Sequence, residues 1–220
     1  MKAMIVQTSE PVALIGGGAV APADLAEVLT RAPVLVAADG GADRALAAGR
    51  MPDAVVGDMD SISEAARAAI PAARLHCVPE QESTDFDKCL RMIEAPLIFG
   101  LGFLGPRLDH QLAVLTGLTR QTEKRCILIG EHDIAFLCPP RLAITLEPGT
   151  RVSLFPMGPV TGQSRGLKWP IDGIGFAPDG RIGTSNEATG GTVELEVAAP
   201  RMVVILPRAA LAAAAAALSG

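Results

Sequence analysis

The sequence predicts an α/β fold in two parts: a mostly parallel sheet with helices on both faces, followed by a small antiparallel β domain. In the first part of the 220-residue chain, short apolar strands alternate strictly with helical segments, a pattern typical of parallel sheets. After about residue 133 only β-forming runs follow, and Pro, Gly, Asn and Asp separate them. We therefore predict one domain over residues 1–135 and a second over residues 136–220.

The strands of the first domain are short and almost wholly apolar, as expected of strands that are buried on both faces. They are predicted at residues 13–15, 34–38, 54–56, 75–78, 97–101 and 126–129. Helices are predicted between them at residues 24–30, 42–48, 63–70, 85–93 and 109–119. Pro22 lies near the start of the first helix, Gly49 follows the second and Pro71 ends the third, which are the usual positions for these residue types.

The second domain is predicted to be a small antiparallel β-sandwich or barrel. Its strands are predicted at residues 134–137, 142–146, 152–155, 193–197 and 202–206. The clearest of them alternates, with Val193, Leu195 and Val197 on one side and Glu194 and Glu196 on the other, as in a strand with one buried face. The segment 209–218 is nearly pure Ala and Leu, and we predict a helix or a frayed end without chemistry.

The composition excludes several functional classes. Hydrophobic residues make up 49% of the chain, enough for a proper core, and the formal net charge of −5 argues against a nucleic-acid partner. No apolar stretch reaches the roughly 18 residues of a membrane span, and residues 1–7 lack the pattern of a signal peptide. The four cysteines form no Cys-x-x-Cys pair, which favours free thiols in a reducing cytoplasm and disfavours a zinc site.

Aspartates follow the predicted strands of the first domain or begin its helices. They are Asp39, Asp58, Asp60, Asp85, Asp87 and Asp109. Since ligands of open α/β sheets bind at the carboxyl ends of the strands, these carboxylates should converge on one crevice. They would repel each other unless a cation lay among them, and a hard divalent ion that carries phosphates fits that requirement.

A glycine-rich turn follows the first strand. Residues 16–21, Gly-Gly-Gly-Ala-Val-Ala, match a dinucleotide-binding fingerprint, and Asp39 follows at about the distance of its ribose-binding acid. Because Gly17 and Gly18 have no side chains, their backbone could approach a phosphate or nucleobase closely. A purely structural turn is an equal alternative. Asp39 could cap the next helix, but Gly40 after it leaves room for a bulky ligand beside the carboxylate.

Asp58 and Asp60 flank a single residue. In extended backbone two such carboxylates point to the same side and suit a magnesium ion that also holds phosphates. The alternative is an Asx turn before the helix that starts near Ser63. We favour the metal interpretation, because a helix cap has no need of Asp58.

The segment 83–88, Ser-Thr-Asp-Phe-Asp-Lys, begins a helix. Thr84 and Asp87 have the spacing of a capping box, which explains much of the segment without any ligand. Asp85 and Lys88 lie three residues apart on one helical face. If the other acids lie nearby, Asp85 becomes a candidate metal ligand and Lys88 a candidate phosphate-facing lysine.

Two further segments contain candidates. Arg107 follows a glycine-rich turn and could grip a phosphate through two hydrogen bonds, and Asp109 could contact a metal or cap the next helix. In the second domain Trp169 is the single tryptophan of a chain without tyrosine, and it could stack on a flat cationic ring. Ser185 and Asn186 would supply polar contacts to such a ring, or would simply form a turn.

Taken together, these segments resemble the thiamine pyrophosphokinase family. The resemblance extends from about residue 14 to residue 206 and rests on the joint occurrence and order of six motifs. They are Ala-Asp-Gly-Gly-Ala at 38–42, Gly-Asp-Met-Asp-Ser at 57–61, Ser-Thr-Asp-Phe-Asp-Lys at 83–88, Gly-Pro-Arg-Leu-Asp-His at 105–110, Gly-Leu-Lys-Trp at 166–169 and Thr-Ser-Asn at 184–186. It implies a Rossmann-like α/β domain and a β-sandwich domain in a homodimer. It also implies transfer of pyrophosphate from ATP to the hydroxyl of thiamine, giving thiamine diphosphate and AMP.

The resemblance also implies roles for particular residues. Asp58, Asp60 and Asp85 would hold Mg²⁺, and catalysis would involve these three with Lys88, Arg107 and Asp109. ATP would contact Gly17, Gly18, Asp39, Gly40, Ser83, Thr84 and Asp87. Thiamine would lie on Trp169, Ser185 and Asn186, at the dimer interface. Either Asp85 or Asp87 could accept the hydroxyl proton.

Three alternatives stay open on the residues alone. The glycine fingerprint with Asp39 would suit an NAD-dependent oxidoreductase, but that function leaves the other acids unexplained. A sensor of thiamine or nucleotide could use the same scaffold without catalysis, although the acids, Lys88 and Arg107 argue against it. The Asp-x-Asp spacing of Asp58 and Asp60 also occurs in sugar-nucleotide transferases, for which binding of a UDP-sugar would be diagnostic.

Overall fold

The structure is a computed structural model that describes residues 4–219. Met1–Ala3, part of the segment inspected for a signal peptide, and Gly220 lie outside the described residues. The chain divides into two compact units, one of residues 1–117 and 128–130 and the other of residues 118–127 and 131–220. Among residues 4–219, no helix combines the length and the apolar composition that crossing a membrane requires.

The first unit is built from alternating strands and helices, as predicted. In chain order they are β1 (Val6–Gln7), β2 (Val12–Ile15), α1 (Pro22–Leu29), β3 (Val34–Ala38), α2 (Gly41–Ala47), β4 (Ala54–Gly57), α3 (Glu64–Ala69), a 3₁₀ turn (Ala72–Arg74), β5 (Leu75–Cys77), α4 (Asp85–Met92), β6 (Ile93–Glu94), β7 (Ile98–Leu101) and α5 (Leu108–Arg120). The strand β8 (Cys126–Ile129) follows, with its last two residues in the first unit.

The main sheet of the first unit is parallel, with strand order β7-β2-β3-β4-β5. All residues of β2, β4 and β7 are buried, so both faces of these strands are covered by other parts of the fold. Successive strands run outward from β2 to β5, and β7 then lies on the other side of β2. The strand order therefore reverses beside β2, and ligands of open α/β sheets bind at the carboxyl edge near such a reversal.

The second unit is antiparallel throughout its two sheets. Its elements are β9 (Asp133–Leu137), β10 (Arg141–Leu146), β11 (Arg151–Pro156), β12 (Val160–Arg165), β13 (Gly175–Phe176), β14 (Gly183–Glu187), β15 (Gly191–Val197), β16 (Met202–Pro207), a 3₁₀ turn (Arg208–Ala210) and α6 (Leu211–Ser219). One sheet has the order β9-β16-β11-β14 and the other β10-β15-β12-β13.

Alternate burial shows that the second sheet has one face in the core. Val193, Leu195 and Val197 of β15 are buried while Glu194 and Glu196 are exposed, which confirms the predicted alternation. A Cβ built on Gly183 of β14 would lie 3.3 Å from the ring of Phe176 in β13, so the two sheets meet at this point. The Ala-rich tail forms the helix α6, which packs against β10.

Candidate active site

A cleft of about 1170 Å³ lies at the carboxyl edge of the parallel sheet and is lined entirely by the first unit. Every loop that leaves the sheet from β2, β3, β4 or β7 contributes to it, as does the start of α4. Its polar lining consists mainly of Asp43, Arg44, Asp58, Asp60, Ser61, Ser63, Gln81, Ser83, Thr84, Asp85, Lys88, Arg107, Asp109 and His110. Gly17, Gly18 and Gly40, predicted to approach a nucleotide, also line it.

Asp39 directly follows β3 and has its backbone in the left-handed region, at a φ of +40°. Its side chain is fully buried, and Oδ2 accepts a hydrogen bond from the Ser61 amide at 3.2 Å. Oδ1 is buried as well and has no hydrogen-bond partner within residues 4–219. Burial, together with the nearby charges of Asp85 and Asp58, raises the pKa of Asp39 to about 6. This carboxylate is therefore poorly compensated by the protein itself.

Asp58 and Asp60 follow β4 in a tight turn. The expectation of extended backbone between them was wrong, because Met59 has a φ of +68° and the Asp60 amide donates to Asp58 Oδ1 at 3.4 Å. This is the Asx-type contact of the alternative interpretation. The turn nevertheless gathers the acids, since one carboxylate oxygen from each of Asp39, Asp58 and Asp60 lies within 4.8 Å of the others. We call these three residues the acidic cluster.

Gly57 allows the acidic cluster to form. A Cβ at this position would lie 2.7 Å from Asp39 Cβ and 3.2 Å from Asp85 Oδ1, distances at which one side chain would have to move. The absent side chain thus lets β4 pass between Asp39 and Asp85 and brings Asp58 beside both. A glycine here is required by packing, because its φ is not among the positive values of the chain.

Lys88 lies beside Asp58 and Asp85 and is only 1% exposed. Its Nζ donates to Asp58 Oδ2 and to Asp85 Oδ1, both at 2.9 Å. Burial favours the neutral amine, but the two carboxylates outweigh it and raise the pKa of Lys88. The hydrogen bond from Lys88 in turn lowers the pKa of Asp58 to about 2. Lys88 therefore holds the carboxylates of Asp58 and Asp85 in fixed positions.

The start of α4 carries the predicted capping box. Thr84 Oγ1 accepts from the Asp87 amide at 3.2 Å, and Asp87 Oδ2 accepts from Thr84 Oγ1 at 2.9 Å. Thr84 and Ser83 line the cleft, while the Ser83 hydroxyl donates to Glu80 and accepts from Arg91 at 3.2 Å. Asp87 is buried in the capping box and is absent from the cleft lining, so its role in the structure is to cap the start of α4.

Arg107 and Asp109 lie together at the start of α5. They form an ion pair of 2.7 Å whose side chains are both about two-thirds exposed. The Arg107 guanidinium lowers the pKa of Asp109, and the same contact raises the pKa of Arg107. Both residues line the cleft, but Asp109 is not part of the acidic cluster. His110, which follows Asp109 in α5, lines the cleft as well.

Gln81 and Arg44 are among the cleft residues that escaped the sequence analysis. The Gln81 amide donates to Asp58 Oδ2 at 3.1 Å, and Arg44 Nε donates to the Gly17 carbonyl at 3.0 Å. Neither residue belongs to a recognisable motif. A signal for Gln81 is its position four residues before Asp85, in the loop that leads from β5 to α4.

The predicted thiamine residues lie together in the second unit. The Trp169 amide donates to Asn186 Oδ1 at 3.2 Å, and Asn186 Nδ2 donates to the Trp169 carbonyl at 2.7 Å. The Trp169 side chain is 54% exposed, and Lys168 Nζ lies 4.9 Å from its ring centroid. Ser185 has a φ of +60°, and its amide donates to Ser153 Oγ at 3.0 Å. Asn186 therefore fixes the backbone that presents an accessible indole.

The acidic cluster has the donor set of a divalent-cation site. Its oxygens are hard carboxylate ligands, which Mg²⁺ and Ca²⁺ prefer, and no group in the described part of the chain donates a hydrogen bond to the buried Asp39 Oδ1. The structure groups Asp39 with Asp58 and Asp60, whereas Asp85, which we expected in the metal set, is held by Lys88. The described residues therefore fit a cation bound between the carboxyl ends of β3 and β4.

Known families and structures match both parts of the chain. The model of the thiamin pyrophosphokinase catalytic domain matches residues 25–129, and the model of the thiamin pyrophosphokinase vitamin B1 binding domain matches residues 141–202. Thiamine pyrophosphokinase 3 from Oryza sativa subsp. japonica is 30% identical, with 71% of each chain covered. Thiamine pyrophosphokinase 1 from the same plant is 31% identical, with 75% of each chain covered.

A solved structure shares the fold. Thiamin pyrophosphokinase from Candida albicans matches with a TM-score of 0.74, covering 90% of this chain and 88% of that chain. Its sequence identity to this chain is 20%, so this likeness establishes the fold alone. Together with the sequence relatives, it confirms the predicted order of a parallel α/β domain followed by an antiparallel β domain.

Proposed function

This chain belongs to the thiamine pyrophosphokinase family, and from that membership we propose how its residues carry out the family's reaction. The reaction transfers pyrophosphate from ATP to the hydroxyl of thiamine and yields thiamine diphosphate and AMP. The observation that carries the proposal is the acidic cluster, which opens into a cleft large enough for a nucleoside triphosphate. We propose that residues 1–135 bind ATP and that residues 136–220 bind thiamine.

The acidic cluster is the proposed Mg²⁺ site. Asp58 and Asp60 would be ligands, and Asp39 would join them, because the cation would give its buried Oδ1 the partner that none of residues 4–219 supplies. When bound, Mg²⁺ neutralises charge on the phosphates and stabilises the charge that moves to the departing AMP. Transfer of this kind depends mainly on alignment and charge neutralisation, so a well-ordered cluster is the main requirement.

Lys88 has a positioning role in this proposal. Its ammonium group is buried and already bonded to Asp58 and Asp85, so it orders the carboxylates instead of gripping a phosphate. Of the two carboxylates considered as acceptor of the thiamine proton, Asp85 lines the cleft and Asp87 does not. We therefore assign proton acceptance to Asp85. Arg107 and Asp109 would contact the phosphates at the rim of the cleft.

Trp169 is the proposed platform for thiamine. A half-exposed indole can stack on the flat, cationic ring of the substrate, and Asn186 fixes the backbone on either side of that contact. Ser185 lies next to it on β14 and offers a hydroxyl.

We also propose a homodimer that binds thiamine between its chains. An exposed tryptophan on a surface of the second unit would be covered in such an assembly. Sedimentation analysis of wild type and of Trp169→Ala, with and without thiamine, tests the assembly. Four free cysteines, three of them buried, are compatible with activity in a reducing cytoplasm.

The decisive assay follows AMP formation from ATP. We expect AMP that depends on both thiamine and Mg²⁺, with thiamine diphosphate as the second product. Thiamine binding without turnover would favour a sensor, and a thiamine-independent change in reduced-nicotinamide absorbance would favour an oxidoreductase. Binding of a UDP-sugar in place of ATP would favour a sugar-nucleotide transferase.

A further inference from the structure

The cations that line the cleft are mostly neutralised by the protein. Lys88 is bonded to Asp58 and Asp85, and Arg107 is paired with Asp109. Arg44 also lines the cleft, and within residues 4–219 no carboxylate lies within ion-pair distance of it. In the described part of the chain, Arg44 is therefore the cleft arginine or lysine whose charge is left for a ligand.

The guanidinium of Arg44 is held in place by one of its nitrogens. Nε donates to the carbonyl of Gly17 at 3.0 Å, which places the side chain beside the glycine turn that follows β2. No acceptor in residues 4–219 uses the two terminal nitrogens, Nη1 and Nη2. An arginine that is fixed through Nε and has both terminal nitrogens available can bind a phosphate with two hydrogen bonds.

Two amides of the glycine turn already donate hydrogen bonds within the protein. The Gly16 amide donates to the Leu101 carbonyl at 2.8 Å, and the Gly18 amide donates to the Gly102 carbonyl at 3.1 Å. A Cβ on Gly18 would lie 2.4 Å from the Gly102 oxygen, so the turn is packed against the end of β7 and cannot easily rotate its amides outward. Packing against β7 thus engages the amides of Gly16 and Gly18, and Arg44 adds charged donors beside the turn.

We infer that Arg44 binds a phosphate oxygen of ATP and is a principal determinant of nucleotide affinity, an inference that rests on the proposed function. The carbonyl of Gly17 orients the guanidinium, while Asp58 and Asp60 of the acidic cluster line the same cleft and would hold the cation end of the nucleotide. Arg44 would then balance phosphate charge that the cation does not reach. The inference gives the glycine turn a different function, which is to anchor this arginine.

The test compares Arg44→Gln with a matched control. Arg50→Gln removes the same charge from an exposed arginine of the same unit that does not line the cleft. Arg44→Lys keeps the charge but loses the planar fork. For each variant we would measure kcat and both KM values, and the Kd of a non-hydrolysable ATP analogue by calorimetry at low and moderate salt. Thermal unfolding shows whether the variants remain folded.

We expect the Kd of the analogue and the KM for ATP to rise about tenfold or more in Arg44→Gln, since a hydrogen bond to a charged group is lost. Arg44→Lys should be intermediate, the KM for thiamine should stay within twofold, and salt should weaken analogue binding less in Arg44→Gln than in wild type. Arg50→Gln should match wild type.

Unchanged analogue affinity in Arg44→Gln would overturn the inference. Equal impairment of Arg44→Lys and Arg44→Gln with unaltered salt dependence would also overturn it, because Arg44 would then only anchor the turn. If wild type forms no AMP with thiamine yet binds the analogue through Arg44, the proposed function fails and the inference about nucleotide binding stands.

Discussion

Replacement of Asp39 by Asn should stabilise the protein and impair its function. Asp39 is fully buried, and its pKa is raised from 3.8 to about 6, mainly by burial. Because the folded state then holds the proton more tightly than the unfolded state, stability falls as pH rises between those two values and stays reduced above them. At roughly 1.4 kcal/mol per pKa unit, ionised Asp39 costs about 3 kcal/mol at neutral pH.

Asn resembles the protonated carboxyl and does not ionise, so Asp39→Asn should avoid most of that cost. In urea unfolding at pH 7.5 with EDTA, we expect a gain of about 1–3 kcal/mol over wild type. The gain should shrink at pH 5 and approach zero near pH 4. Added Mg²⁺ should stabilise wild type more than the variant, because a ligand of the proposed site is missing.

Asp60→Asn is the matched control for this prediction. Asp60 belongs to the same acidic cluster but is exposed, so its replacement should remove the Mg²⁺ effect without the gain in stability. A destabilised Asp39→Asn, or a gain that does not vary with pH, would refute the reasoning, because the charge of Asp39 would then not be controlled by its burial.

Further predictions concern turnover, substrate affinity and stability. Asp58→Asn or Asp60→Asn should abolish thiamine-dependent AMP formation with an unchanged circular dichroism spectrum, and near-normal rates would contradict the metal assignment. Trp169→Ala should raise the KM for thiamine about tenfold through lost stacking, and an unchanged KM would remove Trp169 from the substrate site. Lys88→Met leaves Asp58 and Asp85 without their buried counter-ion, so urea unfolding should show a loss of about 3 kcal/mol. A loss below about 1 kcal/mol would mean that water replaces the ammonium group.

The strands of the first domain were predictable where their residues are buried, which holds for all of β2, β4 and β7 and for four of the five residues of β3. Runs such as residues 34–38 and 97–101 are apolar without interruption, and their lengths match β3 and, apart from one residue, β7. The alternation of strands and helices also predicted that the aspartates lie at the carboxyl edge of the sheet. In the second domain, β12 and β14 escaped prediction because they are polar and contain Gly, Ser, Thr and Asn, so no apolar period reveals them.

The grouping of the acids depends on features that a sequence pattern does not show. The positive φ values of Asp39 and Met59 are uncommon for residues other than glycine, and they decide which carboxylates meet. Gly57 admits Asp39 beside Asp58 because it lacks a Cβ, and Lys88 binds both Asp58 and Asp85. The contacts of Gly57 with Asp39 and of Lys88 with Asp58 join residues far apart in the chain, which the local spacing of Asp58 and Asp60 cannot report.

The cation site is tested most directly by a crystal structure with Mn²⁺, thiamine and a non-hydrolysable ATP analogue. We predict an anomalous peak within about 2.2 Å of carboxylate oxygens of Asp58 and Asp60, with Asp39 Oδ1 turned toward it and phosphate oxygens completing the coordination. A peak outside the acidic cluster, or an analogue bound with no metal contact to these aspartates, would contradict the account.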